Sequence, residues 1–244
     1  MRLGAMASRE LLTAGSIWQL LAPLNGYSRS QGSGLATQAW SGRRLQVLET
    51  TAQGNRLRVR LLDDGYPCWV EAADLLGRAM AALAPVPQLL DAPAISQRLA
   101  AVLAFADAAL QQPNTYLWGG SLGPDYDCSG LVQRAFADAG IWIPRDAYLQ
   151  ERFCQPVAVG VGVFHALQPG DLIFFGPPQR CTHVALHLGD GRYLHSSGAE
   201  HGRNGLGIDD LCPQNNDPVA YHYRRQLRGA GRITRCHDGS PLPA

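Results

Sequence analysis

The chain has no lysine: all 21 of its Lys and Arg positions are arginine. That absence excludes a lysine-built phosphate loop, a Schiff-base lysine and a Ser–Lys pair. Charge of either sign is scarce, 17% of 244 residues, and the formal net charge is +1. Such a balance gives no field to draw nucleic acid or an anionic membrane surface, so neither partner is expected. There is no CxxC pair; Cys68, Cys128, Cys154, Cys181, Cys212 and Cys236 are scattered. With 46% hydrophobic residues the chain can build its own core, so reduced and mostly buried thiols are expected rather than a disulfide framework. No stretch approaches the length of a membrane span. The N-terminal "MRLGAMASRELLTAGSIWQLLAPLNG" breaks its apolar run at Glu10 and Gln19 and offers no clean cleavage site. It reads as mature sequence, and a cytoplasmic location is the expectation.

What is present falls into two compositions that meet near "APVPQLLDAP" (84–93), a proline-rich run suited to a semi-rigid linker. The expected division is a β domain over 1–84, a linker over 85–94, a second domain over 95–235 and a disordered tail over 236–244. In the first part, "NRLRVRLLDDGYPCWV" alternates Leu57, Val59 and Leu61 against Arg56, Arg58 and Arg60. Period two with one polar face is a half-buried antiparallel strand. The arginines read as its solvated face, and Tyr66 and Trp69 as core or rim. Asp64-Gly65 signals a hairpin, and "LQVLET" (45–50) is a second strand, so this part reads as a small β-barrel.

After the linker, "SQRLAAVLAFADAALQQ" (96–112) has helical periodicity, with Ser96 as N-cap and Pro113 as the stop. A second helix runs from about Cys128 to Ala139, with Val132, Ala135, Phe136 and Ala139 as its apolar stripe and Gly140 at its C′ position. Strands follow at 171–176, 183–189 and 192–197, with Asp190-Gly191 marking a hairpin. Residues 198–218 read as a long loop. Helices first and an antiparallel sheet afterwards make this half α+β.

Within "GPDYDCSGLVQRAFADAG" (123–140), Asp127 is a natural N-cap and Cys128 lies in the first helical turn. The positive end of the helix dipole favours a thiolate there and lowers the thiol pKa. Gly119, Gly120 and Gly123 would let a substrate backbone approach closely. Cys128 also lies one turn before Leu131 and Val132, which suits a core thiol equally well. A nucleophilic cysteine requires a base and the base an orienting group; His183 and His195 bracket the hairpin. A three-residue loop, Asp190–Arg192, would place His195 opposite His187 and on the face of His183. A two-residue loop would turn it to the other face. The sequence leaves this register open.

"YLWGG" (116–120), "DCSGLVQRAF" (127–136), "PRDAYLQ" (144–150), "PGDLIFF" (169–175) and "HVALHLGDGRYLHSSG" (183–198), in that order, resemble the NlpC/P60 cysteine peptidases over roughly residues 95–230. "GRRLQVLETTAQGNRLRVRLLDDGYPCWVEAADLL" (42–76) resembles a bacterial SH3-type domain, and "LATQAW" (35–40) is similar to cyanobacterial-type γ-D-glutamyl-L-diamino acid endopeptidases of this architecture. Where such domains often read Gly-Trp, this chain has Cys68-Trp69. The resemblance implies an SH3-like barrel followed by a papain-like domain, with Cys128 as nucleophile, His183 as base and His195 as its orienter. It implies hydrolysis of the bond between γ-D-Glu and a diamino acid in peptidoglycan stem peptides with a free N-terminal L-Ala, in cell-wall recycling and without a cofactor. Tyr66 and Asp127 would contact the substrate amine. Tyr116 would support the oxyanion with the Cys128 backbone N–H. Ser129, Arg145 and Asp146 would belong to the substrate groove.

Competing readings remain. "GGSLG" (119–123) formally matches a nucleophile elbow around Ser121, but Pro124 and Asp125 follow where a helix is required. Cys181, His183 and His187 could suggest zinc, yet two strand histidines are poorly spaced for one ion. A papain-like acyltransferase and a non-catalytic wall-binding module are the alternatives in function. The preferred diamino acid and the oligomeric state are left open.

Overall fold

The structure, a computed structural model, describes residues 2–50 and 55–240. Residues 51–54, between the first two predicted strands, and 241–244 of the predicted tail lie outside the described residues. The chain forms two compact units, Met1–Gln88 with His237–Ala244, and Leu89–Cys236.

The first unit is one antiparallel sheet. Its strands are β1 (Ile17–Leu20), β2 (Leu24–Tyr27), β3 (Leu35–Ala39), β4 (Arg44–Thr50), β5 (Arg56–Leu61), β6 (Pro67–Glu71) and β7 (Ala79–Ala81), with the short helix α1 (Ala72–Leu75) after β6. The order is β3-β2-β6-β5-β4-β1-β7. The period-two reading of β5 holds: Leu57, Val59 and Leu61 are buried with Trp18, Leu45, Val47 and Val70. Arg56 departs from it, because its guanidinium lies over the Tyr27 ring and bonds Glu71 at 2.7 Å, so it is buried rather than solvated. Beneath the β5–β6 turn the buried Arg43 bonds Asp63 at 3.1 Å and Asp64 at 2.8 Å, and Asp64 accepts from the Tyr66 N–H. The C-terminal segment is not the free tail expected. His237 is buried, and a Cβ on Gly239 would stand 2.1 Å from the Leu62 carbonyl oxygen, so the chain runs hard against this turn.

The second unit places helices before a six-stranded antiparallel sheet. The helices are α2 (Ala92–Ser96), α3 (Leu99–Leu110), α4 (Cys128–Asp138), α5 (Ala147–Phe153) and, late in the chain, α6 (Pro218–Arg224). The strands are β8 (Gln155–Val157), β9 (Leu172–Phe175), β10 (His183–Gly189), β11 (Arg192–Ser197), β12 (Gly205–Asp210) and β13 (Leu227–Arg232), in the order β12-β11-β10-β9-β13-β8. The single helix expected over 96–112 is broken at Gln97–Arg98, and the working cap is Asp91, which accepts from Ala94 N–H at 3.0 Å. By length and composition alone the segment Ala92–Leu110 is apolar enough to cross a bilayer, contrary to expectation, while Ile95, Val102 and Ala106 face this unit's core. Helix α4 buries Leu131, Val132, Ala135 and Phe136 as its stripe requires, and Gly140 follows at φ +75°.

The largest departure is at 198–218. The expected loop contains β12, an edge strand paired with β11 from Arg192↔Asp210 to Ser197↔Gly205. Glycines at 205 and 207 give this strand little intrinsic preference, so its pairing partner decides its state.

Candidate active site

Helix α4 starts where the sequence says, and Asp127 caps it by accepting from Gly130 N–H at 2.6 Å. The same carboxylate accepts from Gly119 N–H at 2.9 Å, which ties the preceding loop to the helix. Arg145 then grips it with both guanidinium arms, Nη1 to Oδ1 at 3.0 Å and Nη2 to Oδ2 at 2.7 Å. Arg145 also donates to Ser129 Oγ at 2.9 Å. Arg145 and Ser129 are buried, so neither lines an open groove as expected. Asp127 is turned inward onto a cation of its own chain. Asp146, half-buried, stands at the N-cap position of α5 without a side-chain capping bond. The glycines also serve the protein itself: a Cβ on Gly130 would lie 2.0 Å from the Gly120 oxygen, and one on Gly120 would lie 2.7 Å from the Asp125 oxygen.

Cys128 is buried, and its sulfur receives the backbone N–H of Val184, the residue after His183 on β10. That contact brings helix and strand together at the nucleophile. The thiol is pushed up to about 12, first by burial and then by the charge of Asp127; the Val184 N–H, Arg145 and the Ser129 N–H act the other way. The expected dipole-lowered thiolate is therefore corrected. Burial and the neighbouring carboxylate outweigh the helix end, and the resting group is a neutral thiol.

His183 is buried and held well below the ordinary imidazole value, by burial first and then by His195, His201 and His222. It too rests neutral. His183 Nε2 lies 2.7 Å from His195 Nδ1, so the two histidines do meet on one face. The route differs from the one expected. Gly189 pairs with Arg192 across a two-residue loop, with φ of +52° at Asp190 and +73° at Gly191, but the register then shifts, so that His187 stands opposite Tyr193 and Leu186 opposite Leu194. Leu188 is the extra residue of a bulge, and the bulge restores the face that a plain two-residue hairpin would lose. His187 is not a ligand: Nδ1 bonds the Gln168 carbonyl at 3.0 Å and Nε2 accepts from Gly191 N–H at 3.2 Å, clasping the loop.

Three residues of the site escaped the sequence reading. His195 Nε2 lies 2.6 Å from Asp209 Oδ2, and Arg203 Nη2 donates to Asp209 Oδ1 at 2.9 Å. The Tyr223 ring stacks on His183, centroids 4.1 Å apart, and its hydroxyl meets Ser197 Oγ at 2.9 Å. The alternation of β12, with Gly205, Gly207 and Asp209 on its buried face, was the available signal for Asp209. Tyr116 is half-buried, and burial and the charges of Cys128 and Asp127 raise its phenol, which keeps its proton as an O–H donor. Trp118, two residues on in the same loop, is exposed.

The competing sites do not assemble. Ser121 is fully buried. Cys181 Sγ donates to the His183 carbonyl, and among the described residues no group of three His, Cys, Asp or Glu could hold a metal. All six cysteines are unpaired and five are buried.

A buried thiol at a helix start and a hydrogen-bonded histidine pair on the adjacent antiparallel sheet are the arrangement a cysteine nucleophile and its base would require. Residues 113–225 match the NlpC/P60 family, and residues 26–75 match the bacterial dipeptidyl-peptidase SH3 domain. The chain thus carries an NlpC/P60 domain, with an SH3-like domain before it. It is 43% identical over 88 residues to a γ-D-glutamyl-L-lysine dipeptidyl-peptidase of Bacillus cereus, covering 35% of this chain and 25% of that protein. It is 35% identical over 132 residues to the bifunctional muramidase/DL-endopeptidase CwlT of Bacillus subtilis, covering 52% and 35%. A crystal structure of an NlpC/P60 family protein from Bacillus cereus aligns over 93% of this chain and 67% of that one, at 26% identity and a TM-score of 0.47. The chain thus spans about a quarter to a third of the length of these curated relatives.

Proposed function

We propose that this protein is a cysteine endopeptidase that hydrolyses the γ-D-Glu–diamino acid bond of peptidoglycan stem peptides bearing a free N-terminal L-Ala. The observation that carries the reading is the His183–His195 pair, with Val184, the residue after His183, giving its N–H to the Cys128 sulfur, all within the NlpC/P60 match. The γ-D-glutamyl-L-lysine specificity named for the Bacillus cereus relative supports the choice of bond.

The chemistry follows from the neutral resting pair. As the Cys128 sulfur attacks the γ-carbonyl carbon, its proton passes to His183, and the C–N bond then breaks with that proton delivered to the departing amine. A water molecule, deprotonated by His183, next attacks the thioester and releases the γ-D-Glu carboxylate and the thiol. The developing oxyanion is met by the Tyr116 hydroxyl and by the Cys128 N–H, one of the first-turn amides without a helical acceptor. By the resemblance, Asp127 would contact the substrate ammonium in addition to its ion pair with Arg145. Soluble peptides rather than intact wall are the substrates in this reading, as befits recycling in the cytoplasm.

The test uses L-Ala-γ-D-Glu-meso-diaminopimelate and its N-acetylated copy, with the wild type and Cys128→Ala, followed by mass spectrometry. Free diaminopimelate from the wild type alone, and from the free-amine peptide alone, is the expected result. Cleavage of both peptides removes the amine requirement, and faster digestion of intact sacculi removes the recycling role. Cleavage of neither peptide overturns the proposed substrate.

A further inference from the structure

The hydrogen bonding of the His183–His195 pair continues to Asp209 and ends at Arg203. Every link is buried except the arginine, whose side chain is 21% exposed. We infer that Asp209 and Arg203 are positioning residues that fix which nitrogen of each histidine carries its proton, and so make His183 a base toward Cys128. This rests on the reading of Cys128 as the nucleophile.

A carboxylate paired with a guanidinium only accepts hydrogen bonds, and Arg203 donates to one oxygen of Asp209 at 2.9 Å. The other oxygen, 2.6 Å from His195 Nε2, therefore faces an Nε2–H. A neutral His195 protonated there presents a bare Nδ1. That lone pair lies 2.7 Å from His183 Nε2, which must donate to it. His183, neutral and protonated on Nε2, is left with a bare Nδ1 as its proton acceptor for the thiol. One carboxylate thus sets two tautomers in series.

The strand is shaped for this arrangement. A Cβ on Gly207 would stand 1.4 Å from Arg203 Nη1, so the guanidinium crosses β12 over that glycine to reach Asp209. Tyr193 and Tyr223 meet the His195 ring edge to face at 5.3 and 4.9 Å, closing its other sides with aromatic carbon.

Asp209→Asn turns the logic round. Arg203 would hold the amide oxygen, so the amide NH2 would face His195 Nε2. His195 would then carry its proton on Nδ1 and donate it to His183 Nε2, which forces the His183 proton onto Nδ1 and removes the base. The loss in kcat would be about 10²- to 10⁴-fold, the range for a general base in the wrong tautomer, with KM little changed.

The experiment uses the full chain and two readouts that do not depend on the peptide substrate. Long-range ¹⁵N NMR of the imidazoles reports the tautomers, and peptide mass mapping follows iodoacetamide alkylation at Cys128 at neutral pH. Expected are Nε2–H on both histidines in the wild type, Nδ1–H on His195 in Asp209→Asn, and at least tenfold slower alkylation of that variant. Asp209→Glu would recover part of the rate. Asp209→Asn combined with Arg203→Ala would also recover part, because the amide can then turn its oxygen to His195. His195 protonated on Nδ1 in the wild type would overturn the inference even if no variant folds. So would a folded Asp209→Asn whose alkylation rate stays within twofold. If these arms behave as expected while the tripeptide is untouched, the proposed substrate falls and the positioning role stands.

Discussion

Arg145 and Asp127 form a two-pronged, buried ion pair at the residue before Cys128, with contacts of 3.0 and 2.7 Å and an Arg145 side chain only 1% exposed. The pair joins the helix cap, the 116–120 loop and the entry to α5. Removing one member of such a pair leaves an uncompensated charge, which costs about 3–5 kcal/mol. Arg145→Met is expected to lower unfolding free energy by that order in urea titration. Arg145→Lys restores charge but not the two-pronged fit and should recover only part of it. An Arg145→Met protein as stable as the wild type would contradict this account.

Tyr116 retains its proton because burial and the charges of Cys128 and Asp127 raise it. As an oxyanion donor it would act in the transition state rather than in substrate binding. Tyr116→Phe should therefore reduce kcat by about 10²- to 10³-fold with KM changed little. Steady-state kinetics on the free-amine tripeptide give both numbers.

Stability should depend on pH through the buried histidines. His183 and His195 are both lowered in the folded protein, chiefly by burial. In the unfolded chain they titrate near the ordinary value of about 6.5. Below that pH the unfolded state binds protons that the folded state refuses, so stability falls as pH falls. Thermal unfolding between pH 8 and pH 5 should show Tm dropping below about pH 6.5, and His183→Gln should flatten the slope. The acid limb of kcat/KM should likewise lie below the ordinary imidazole value, because His183 stays unprotonated there.

The β10–β11 hairpin sets the face of His195, so its loop should be intolerant. Gly191 has φ +73°, and a Cβ there would meet the Phe164 ring at 2.8 Å. Gly191→Ala is expected to cost about 1–3 kcal/mol. His187→Phe removes the acceptor of the Gly191 N–H and should cost a similar amount, of the order of an unsatisfied buried donor. Activity should fall further than stability in both, since the histidine pair depends on this register. Equal losses would show the loop to be structural only.

The sequence made the nucleophile legible because its determinants are local. An N-capping Asp, a cysteine in the first turn and a stripe at 131, 132, 135 and 136 specify a helix and its start without help from the rest of the chain. The alternation of β5 and the Asp190-Gly191 turn were legible for the same reason. Strand β12 was harder to read: its alternation is short and carried by Gly205 and Gly207 on one face, so it depends on the edge β11 offers it. Asp209 was hidden with it. The task of Arg145 was hidden too, since a groove-lining arginine and a buried partner of Asp127 have the same local sequence.

By itself, then, the sequence determined the two-part organisation in outline, the helix that carries Cys128, the strands that carry His183 and His195, and the absence of lysine chemistry. Tertiary structure alone decided the protonation of the site and its connectivity. The thiol rests neutral because burial, a property of the packed whole, outweighs the local helix dipole. The histidines meet because one bulged residue, Leu188, shifts a register that turn chemistry alone would set wrongly. Asp209 and Arg203 reach His195 because a glycine-containing edge strand is paired into place on β11.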